Sequence, residues 1–310
     1  MHDGRRSRRR VRRRRGGGHA ASTPRSLAGD AWQDLRRSPL FLISAAIILV
    51  LIAMAVAPGL FTSSDPRDCD LALSRLPPSG SAWFGYDLQG CDMYARTIYG
   101  ARASILVGVL TTVGIAIVGS VVGMLAGYHG GRVDALLSRV TDMFFAVPML
   151  LGAIIVLATF PSDVHTPAWQ TIGKVVLALG VLGWTTVARL MRSTVIQVKE
   201  ADFVNAARGL GAGPRRILLR HIVPNAMAPV IVYSTIILGV FVVLEATLSF
   251  LGIGLQAPVI SWGTAISEAR TYVRQSPHML LFPSVFLSVT VLAFIMLGDA
   301  VRDAFDPKLR

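Results

Sequence analysis

Residues 104–128 read SILVGVLTTVGIAIVGSVVGMLAGY, and no Asp, Glu, Lys or Arg occurs between Arg102 and Arg132. A helix needs about 20 mostly apolar residues to cross about 30 Å of hydrocarbon. These 25 residues satisfy that length without one charge to desolvate. Five further stretches of the same kind flank them: 40–60, 143–160, 171–190, 226–251, and one within the uncharged run between Arg274 and Asp299. The fourth is interrupted by Lys174, close enough to its end to reach the interface. The fifth carries one carboxylate, Glu245. The expected fold is an all-α membrane protein with six transmembrane helices.

Composition agrees with that reading. Of the 310 residues, 53% are hydrophobic and 16% charged, with a mean hydropathy of +0.55. Soluble domains carry about 25% charged residues, so a cytosolic enzyme and a disordered chain are both excluded. The net charge of +13 is unevenly spread: residues 1–37 hold 12 Arg and 3 Asp, a net +9. Basicity in a tail is not a nucleic-acid groove, and no aromatic residue interleaves RRSRRRVRRRR to stack bases. The tail reads as a solvated segment that brushes anionic lipid. The first span lies too far from the N-terminus, and lacks the small-residue site, for a cleaved signal peptide.

Orientation follows from Lys and Arg in the loops. The tail, the segment with Arg132 and Arg139, the loop after the fourth span and the C-terminus are basic. The opposite loops hold few basic residues, and five Asp offset those of the first. Both termini are therefore expected in the cytoplasm. The chain divides into a cytoplasmic Arg-rich tail (1–37), a first span with its extracytoplasmic loop (38–101), and a five-helix core (102–310) carrying a long cytoplasmic loop at 191–225.

That loop contains an apolar stripe, Phe203, Ala206, Ala207 and Leu210, at helical spacing. Gly209, Gly211 and Gly213 then break the helix, and Pro214 is placed to start a second one. The second helix is expected to end before Pro224. The small-residue face suits close docking on a protein, and a helical hairpin lying on lipid headgroups is the other reading of the same spacing.

The stretch Asn205-Ala206-Ala207-Arg208-Gly209-Leu210-Gly211, followed by His221-Ile222-Val223-Pro224, resembles the EAA loop of ABC importer permeases. Asn205 stands for the family's Glu, His221 for Ile and Val223 for Leu. Gly85-Tyr86-Asp87-Leu88-Gln89-Gly90-Cys91-Asp92, running on to Gly100-Ala101-Arg102-Ala103-Ser104, resembles a segment of dipeptide and oligopeptide permeases, with Tyr86 and Cys91 in place of Thr and Arg. Glu245-Ala246-Thr247-Leu248-Ser249-Phe250-Leu251-Gly252, Ser261-Trp262-Gly263 and the ending Gly298-Asp299 to Asp306-Pro307 match the same group. The resemblance runs in order over about 30–310 and points to the C-type permease of a peptide importer.

The resemblance implies a type I importer permease fold and a heterodimer with a second permease. It also implies two ATPase subunits, or one two-domain ATPase, and an extracytoplasmic substrate-binding protein. Asn205, Ala206, Ala207, Arg208, Gly211 and Pro224 would form the ATPase-coupling loop. The chain itself has no G-x-x-x-x-G-K-[ST] phosphate loop and no zinc-type ligand spacing. It is expected to be non-enzymatic and to need no cofactor. Peptides, nickel complexes, glutathione and haem are all cargo within the wider family. A proton-coupled secondary transporter is the rival class, but it would need several buried ionisable groups, and Glu245 alone qualifies.

Glu245 is a candidate pathway or gate residue; hydrogen bonding to Ser249 one turn on is the structural alternative. Asp142 and Arg139 are expected to pair along one helix face. Trp184, Trp262, Tyr272 and Phe282 are expected as interfacial anchors. Gly119, Gly123 and Gly127, at spacing four, favour tight helix packing. Cys69 and Cys91 are the only cysteines and share one loop expected outside, where a disulfide persists. A bridge is the expectation, with two unpaired thiols as the alternative.

Overall fold

The computed structural model describes residues 32–33, 35–163 and 165–305. Helix α1 spans Pro39–Val56, α2 Met93–His129, α3 Gly131–Phe145, α4 Met149–Thr159 and α5 Ala168–Lys199. A short helix, α6, spans Asp202–Gly209; α7 is Pro214–Phe250, α8 Trp262–Ala269 and α9 His278–Phe305. Among the described residues five of these are long and apolar enough to cross a membrane, and the bent pair α3 and α4 counts as a sixth if it is one broken span. Apolar side chains such as Leu42, Ile43, Leu49 and Leu292 face outward, as a hydrocarbon solvent requires.

The third crossing departs from its expected shape. An unbroken span over 143–160 is replaced by two helices bent by 79° at a break after Phe145. Pro148 explains it, because proline lacks an N–H and drives the preceding residue out of the helical region. Helix α2 begins at Met93, eleven residues before the expected 104. Asp92 caps it, accepting from the Tyr94 N–H at 2.8 Å. The expected division at 101/102 therefore falls inside α2. The second loop helix does not stop before Pro224 either. It runs on as α7 through a π turn at Leu218–Ile222, which accommodates the missing proline N–H.

Packing centres on α2 against α5. A Cβ added to Gly127 would meet the Arg192 carbonyl at 2.8 Å, and one on Gly123 would collide with the Ala188 carbonyl. Gly114 meets nothing, so only the glycines at spacing four form the contact. Val107, Ile115, Leu179, Val187, Met191, Phe241 and Leu248 fill the core around it. Leu35 packs on Ala300, Val301 and Ala304, so both described chain ends lie at one end of the bundle, here the tail end. The long 57–92 and 251–277 segments lie at the other, the loop end. Residues 1–31 of the Arg-rich tail lie outside the described residues.

Candidate functional site

At the tail end, α6 leaves α5 after a two-residue link and buries one side chain, Val204, in the core. The expected stripe faces away from the protein: Leu210 is 88% exposed and Phe203 46%. Ala206 is exposed and Ala207 half-buried beside them. Asn205 accepts from the Arg208 guanidinium at 3.0 Å and donates to the Glu200 carbonyl, so it shapes its own helix.

The helix ends in a Schellman motif. Gly211 sits at φ +84 and donates to the Arg208 carbonyl, while Ala212 donates to that of Ala207. Its side-chain position is open, so glycine is required by backbone conformation and not by crowding. Pro214 then starts α7, with exposed Arg215, Arg216 and Arg220 along its first turns. Tyr128 Oη donates to the Pro214 carbonyl and Lys199 Nζ to that of Gly127, tying the loop to the end of α2. Pro224 is exposed within α7, one turn after Arg220.

Two ion pairs brace the same end. Arg192 of α5 holds Asp134 of α3 through two bonds of 2.5 and 2.7 Å. Arg189 pairs with Asp142 at 2.7 Å and lies over the Phe145 ring. The expected Asp142–Arg139 pair is thus replaced by an interhelical one, in which Arg189 also gains the Phe145 ring. A cavity of about 400 Å³ between α2, α3 and α5 is lined by Asp142, Arg189 and Arg192.

At the loop end, Cys69 and Cys91 are joined in a disulfide, with Cα atoms 4.1 Å apart. The bridge lies across a small hairpin in which the Arg75 N–H donates to the Asp87 carbonyl and the Tyr86 N–H to that of Leu76. Asp87 is buried, accepts from the N–H groups of Gln89 and Cys91, and pairs with Arg96 of α2. Arg96 also reaches Glu268 on α8 at 3.3 Å. Burial pushes the Glu268 carboxyl above its usual range; Arg96 opposes this and Asp87 adds to it. Phe84 stacks on Phe282 at 3.8 Å, and His278 Nε2 bonds the Tyr86 carbonyl. These contacts dock the disulfide hairpin on α2, α8 and α9.

Glu245 is fully buried among the described residues. Its Oε1 accepts from Ser249 at 2.8 Å and from Ser261 at 3.1 Å. The candidate pathway carboxylate therefore faces protein on every side of this chain. Trp262, expected at an interface, is buried too; its indole N–H donates to the Thr97 carbonyl. Sequence reasoning missed the Asp87–Arg96–Glu268 cluster, because Glu268 lies 172 residues beyond Arg96 and no periodicity links the loop residue Asp87 to Arg96.

The family described as "Binding-protein-dependent transport system inner membrane component" matches residues 119–310. The "N-terminal TM domain of oligopeptide transport permease C" matches residues 26–78. The chain is similar to the oligopeptide transport system permease protein OppC of Bacillus subtilis, 37% identical over 92% of this chain and 91% of that one. It is similar also to the dipeptide transport system permease protein DppC of the same organism, 38% identical over 92% and 87%. Among solved structures, an inward-facing MetNI methionine ABC transporter shares the fold, with a TM-score of 0.55, 19% identity, and coverage of 68% of this chain and 97% of that one.

Proposed function

Because the chain belongs to the inner-membrane permeases of binding-protein-dependent ABC transport systems, of the oligopeptide permease C type, we propose that it forms half of the pathway of a di- or oligopeptide importer. The other half is a second, homologous permease. ATP is hydrolysed by separate ATPase subunits, and an extracytoplasmic binding protein delivers the cargo. The tail end faces the cytoplasm, where the Lys- and Arg-rich loops belong, and the loop end faces outside.

One observation carries the ATPase assignment. A helix at the tail end, α6, turns an apolar stripe of Phe203, Ala206, Ala207 and Leu210 away from its own core, and a rigid glycine cap joins it to a 37-residue helix. An exposed apolar face rimmed by polar residues marks a protein or membrane contact, and the small Ala206 and Ala207 beside Phe203 and Leu210 suit close docking on a protein. On this reading Asn205, Ala206, Ala207, Arg208 and Gly211 form the contact and its cap, and Pro224 lies in the helix that carries the motion inward. The peptide assignment rests on the relatives, whose names state oligopeptide and dipeptide transport.

Co-expression with the ATPases and second permease encoded beside it, followed by affinity purification, tests the assembly. Recovery of the two permeases with two ATPase sites is the expected result; a chain purifying alone refutes it. Uptake by the reconstituted complex with its binding protein then tests cargo. A labelled tripeptide should be imported with ATP. Import of glutathione, a nickel complex or haem in its place would refute the peptide assignment, and import driven by a proton gradient without ATP would refute the class.

A further inference from the structure

Helix α7 is continuous from Pro214 to Phe250, 37 residues or about 55 Å at 1.5 Å per residue. Its first turn adjoins the α6 cap at the tail end. Its last turns carry Glu245 and Ser249 at the loop end. Beyond Phe250 the chain folds back on the helix: the N–H groups of Ile253 and Gly254 donate to the Leu248 carbonyl, and that of Leu255 to Ser249 Oγ. Ser261 then caps α8, accepting from the Thr264 N–H at 3.1 Å while its hydroxyl donates to Glu245.

Glu245 is thus the acceptor on which two hydroxyls converge, one from α7 and one from the start of α8. The next residue is fixed to α2: the Trp262 N–H donates to Ser104 Oγ at 3.2 Å, and its indole N–H to the Thr97 carbonyl at 2.9 Å. Gly263 packs so closely on α7 that a Cβ there would lie 2.6 Å from the Ala246 Cα. From α8 the chain of contacts continues through Glu268 and Arg96 to Asp87 in the disulfide hairpin. A buried carboxylate is expensive to keep unless it is hydrogen-bonded; both bonds here go to Oε1, one within α7 and one across to the start of α8.

We propose that Glu245 is a positioning residue of the transport cycle. By holding Ser261, it makes the α7–α8 loop and α8 move as one body with α7. A displacement imposed beside Pro214 then reaches the loop end instead of being lost in a slack connection. This rests on the reading of α6 as the ATPase contact.

The test uses the whole reconstituted transporter and measures ATP hydrolysed per peptide imported, with thermal stability recorded alongside. Glu245→Ala should raise that ratio about tenfold, the size of an ordinary coupling energy between two sites. Glu245→Gln keeps an oxygen that accepts both hydroxyls and should restore the ratio to near wild type. A purely structural role would lower the melting temperature and yield while leaving the ratio unchanged, and that result overturns the proposal. If Glu245→Ala does not assemble, Ser261→Ala decides, since it removes one hydroxyl and leaves the Glu245–Ser249 bond. An unchanged ratio in assembled Ser261→Ala overturns the proposal. Failure of the wild-type chain to bind ATPases would instead refute the α6 assignment, so the two failures are distinguishable.

Discussion

A Cβ placed on Gly119 of α2 would lie 2.7 Å from the carbonyl oxygen of Trp184 on α5. Backbone cannot step aside as a side chain can, so α2 and α5 touch along Gly119, Gly123 and Gly127 only because nothing larger stands there. Gly123→Ala should therefore destabilise the folded permease by about 1–3 kcal/mol, as overpacked cores do. Gly114→Ala, on the same helix with open space around it, should be neutral or slightly stabilising. Melting temperatures of the two variants in one detergent check the contrast.

Gly211 makes a different demand. Its φ of +84 costs a side-chain-bearing residue about 1–2 kcal/mol, and a β-branched residue more. Gly211→Val should insert and fold but re-aim α6, lowering peptide-stimulated ATPase activity and import together. Gly211→Asn, which tolerates the left-handed region, should retain more activity than Gly211→Val. Equal activity in both variants and the wild type would remove α6 from the coupling path.

The disulfide closes a sequence separation of 22 residues, which the loop-entropy model values at about 3 kcal/mol. Intact mass after alkylation without reductant should show no modified thiol, and two after reduction. Cys69→Ser with Cys91→Ser should open 70–90 to protease on the outer side of intact, oriented vesicles. The bond matters locally because the hairpin carries Asp87, the carboxylate that meets Arg96.

Glu268 supplies a pH dependence with a definite sign. Burial raises its carboxyl in the folded protein, so the stabilising contribution is full below the unfolded value of about 4.3 and is lost as pH rises through the raised folded value. Arg96 on α2 limits the shift and Asp87 on the hairpin enlarges it. Between wild type and Glu268→Gln, the difference in melting temperature should change over the pH range from the unfolded value up through the raised folded one, with the wild type losing ground as pH rises. A constant difference across that range would refute the assignment.

How far the sequence was legible depended on the range of the interaction involved. Gly211 and Pro214 could be read because a left-handed cap and a first-turn proline are local requirements. Gly119, Gly123 and Gly127 could be read because a four-residue repeat puts them on one face. Asp142 could not, since Arg139 on its own helix and Arg189 on another are both within reach of its chemistry, and only the packing of α3 on α5 chooses. The exposure of Phe203 and Leu210, and the burial of Val204 between them, likewise depended on where α5 and α7 place α6.

By itself the sequence determined the five unbroken spans, because hydrocarbon accepts no unpaired backbone group and an apolar run of sufficient length has only a helix available. Charge asymmetry gave the expected sidedness, and two cysteines in one loop gave the expected bridge. Tertiary structure decided what each polar group inside that frame was for. Glu245 read as a lone carboxylate in a span, and its role depends on Ser261, sixteen residues on, folding back to meet it. Arg96 carries no sequence signal of its own, yet it pairs with Asp87 nine residues before it and with Glu268 172 residues after it. The physical reason is that hydrophobic length is a property of one segment, whereas a buried charge is stable only with partners that other segments supply.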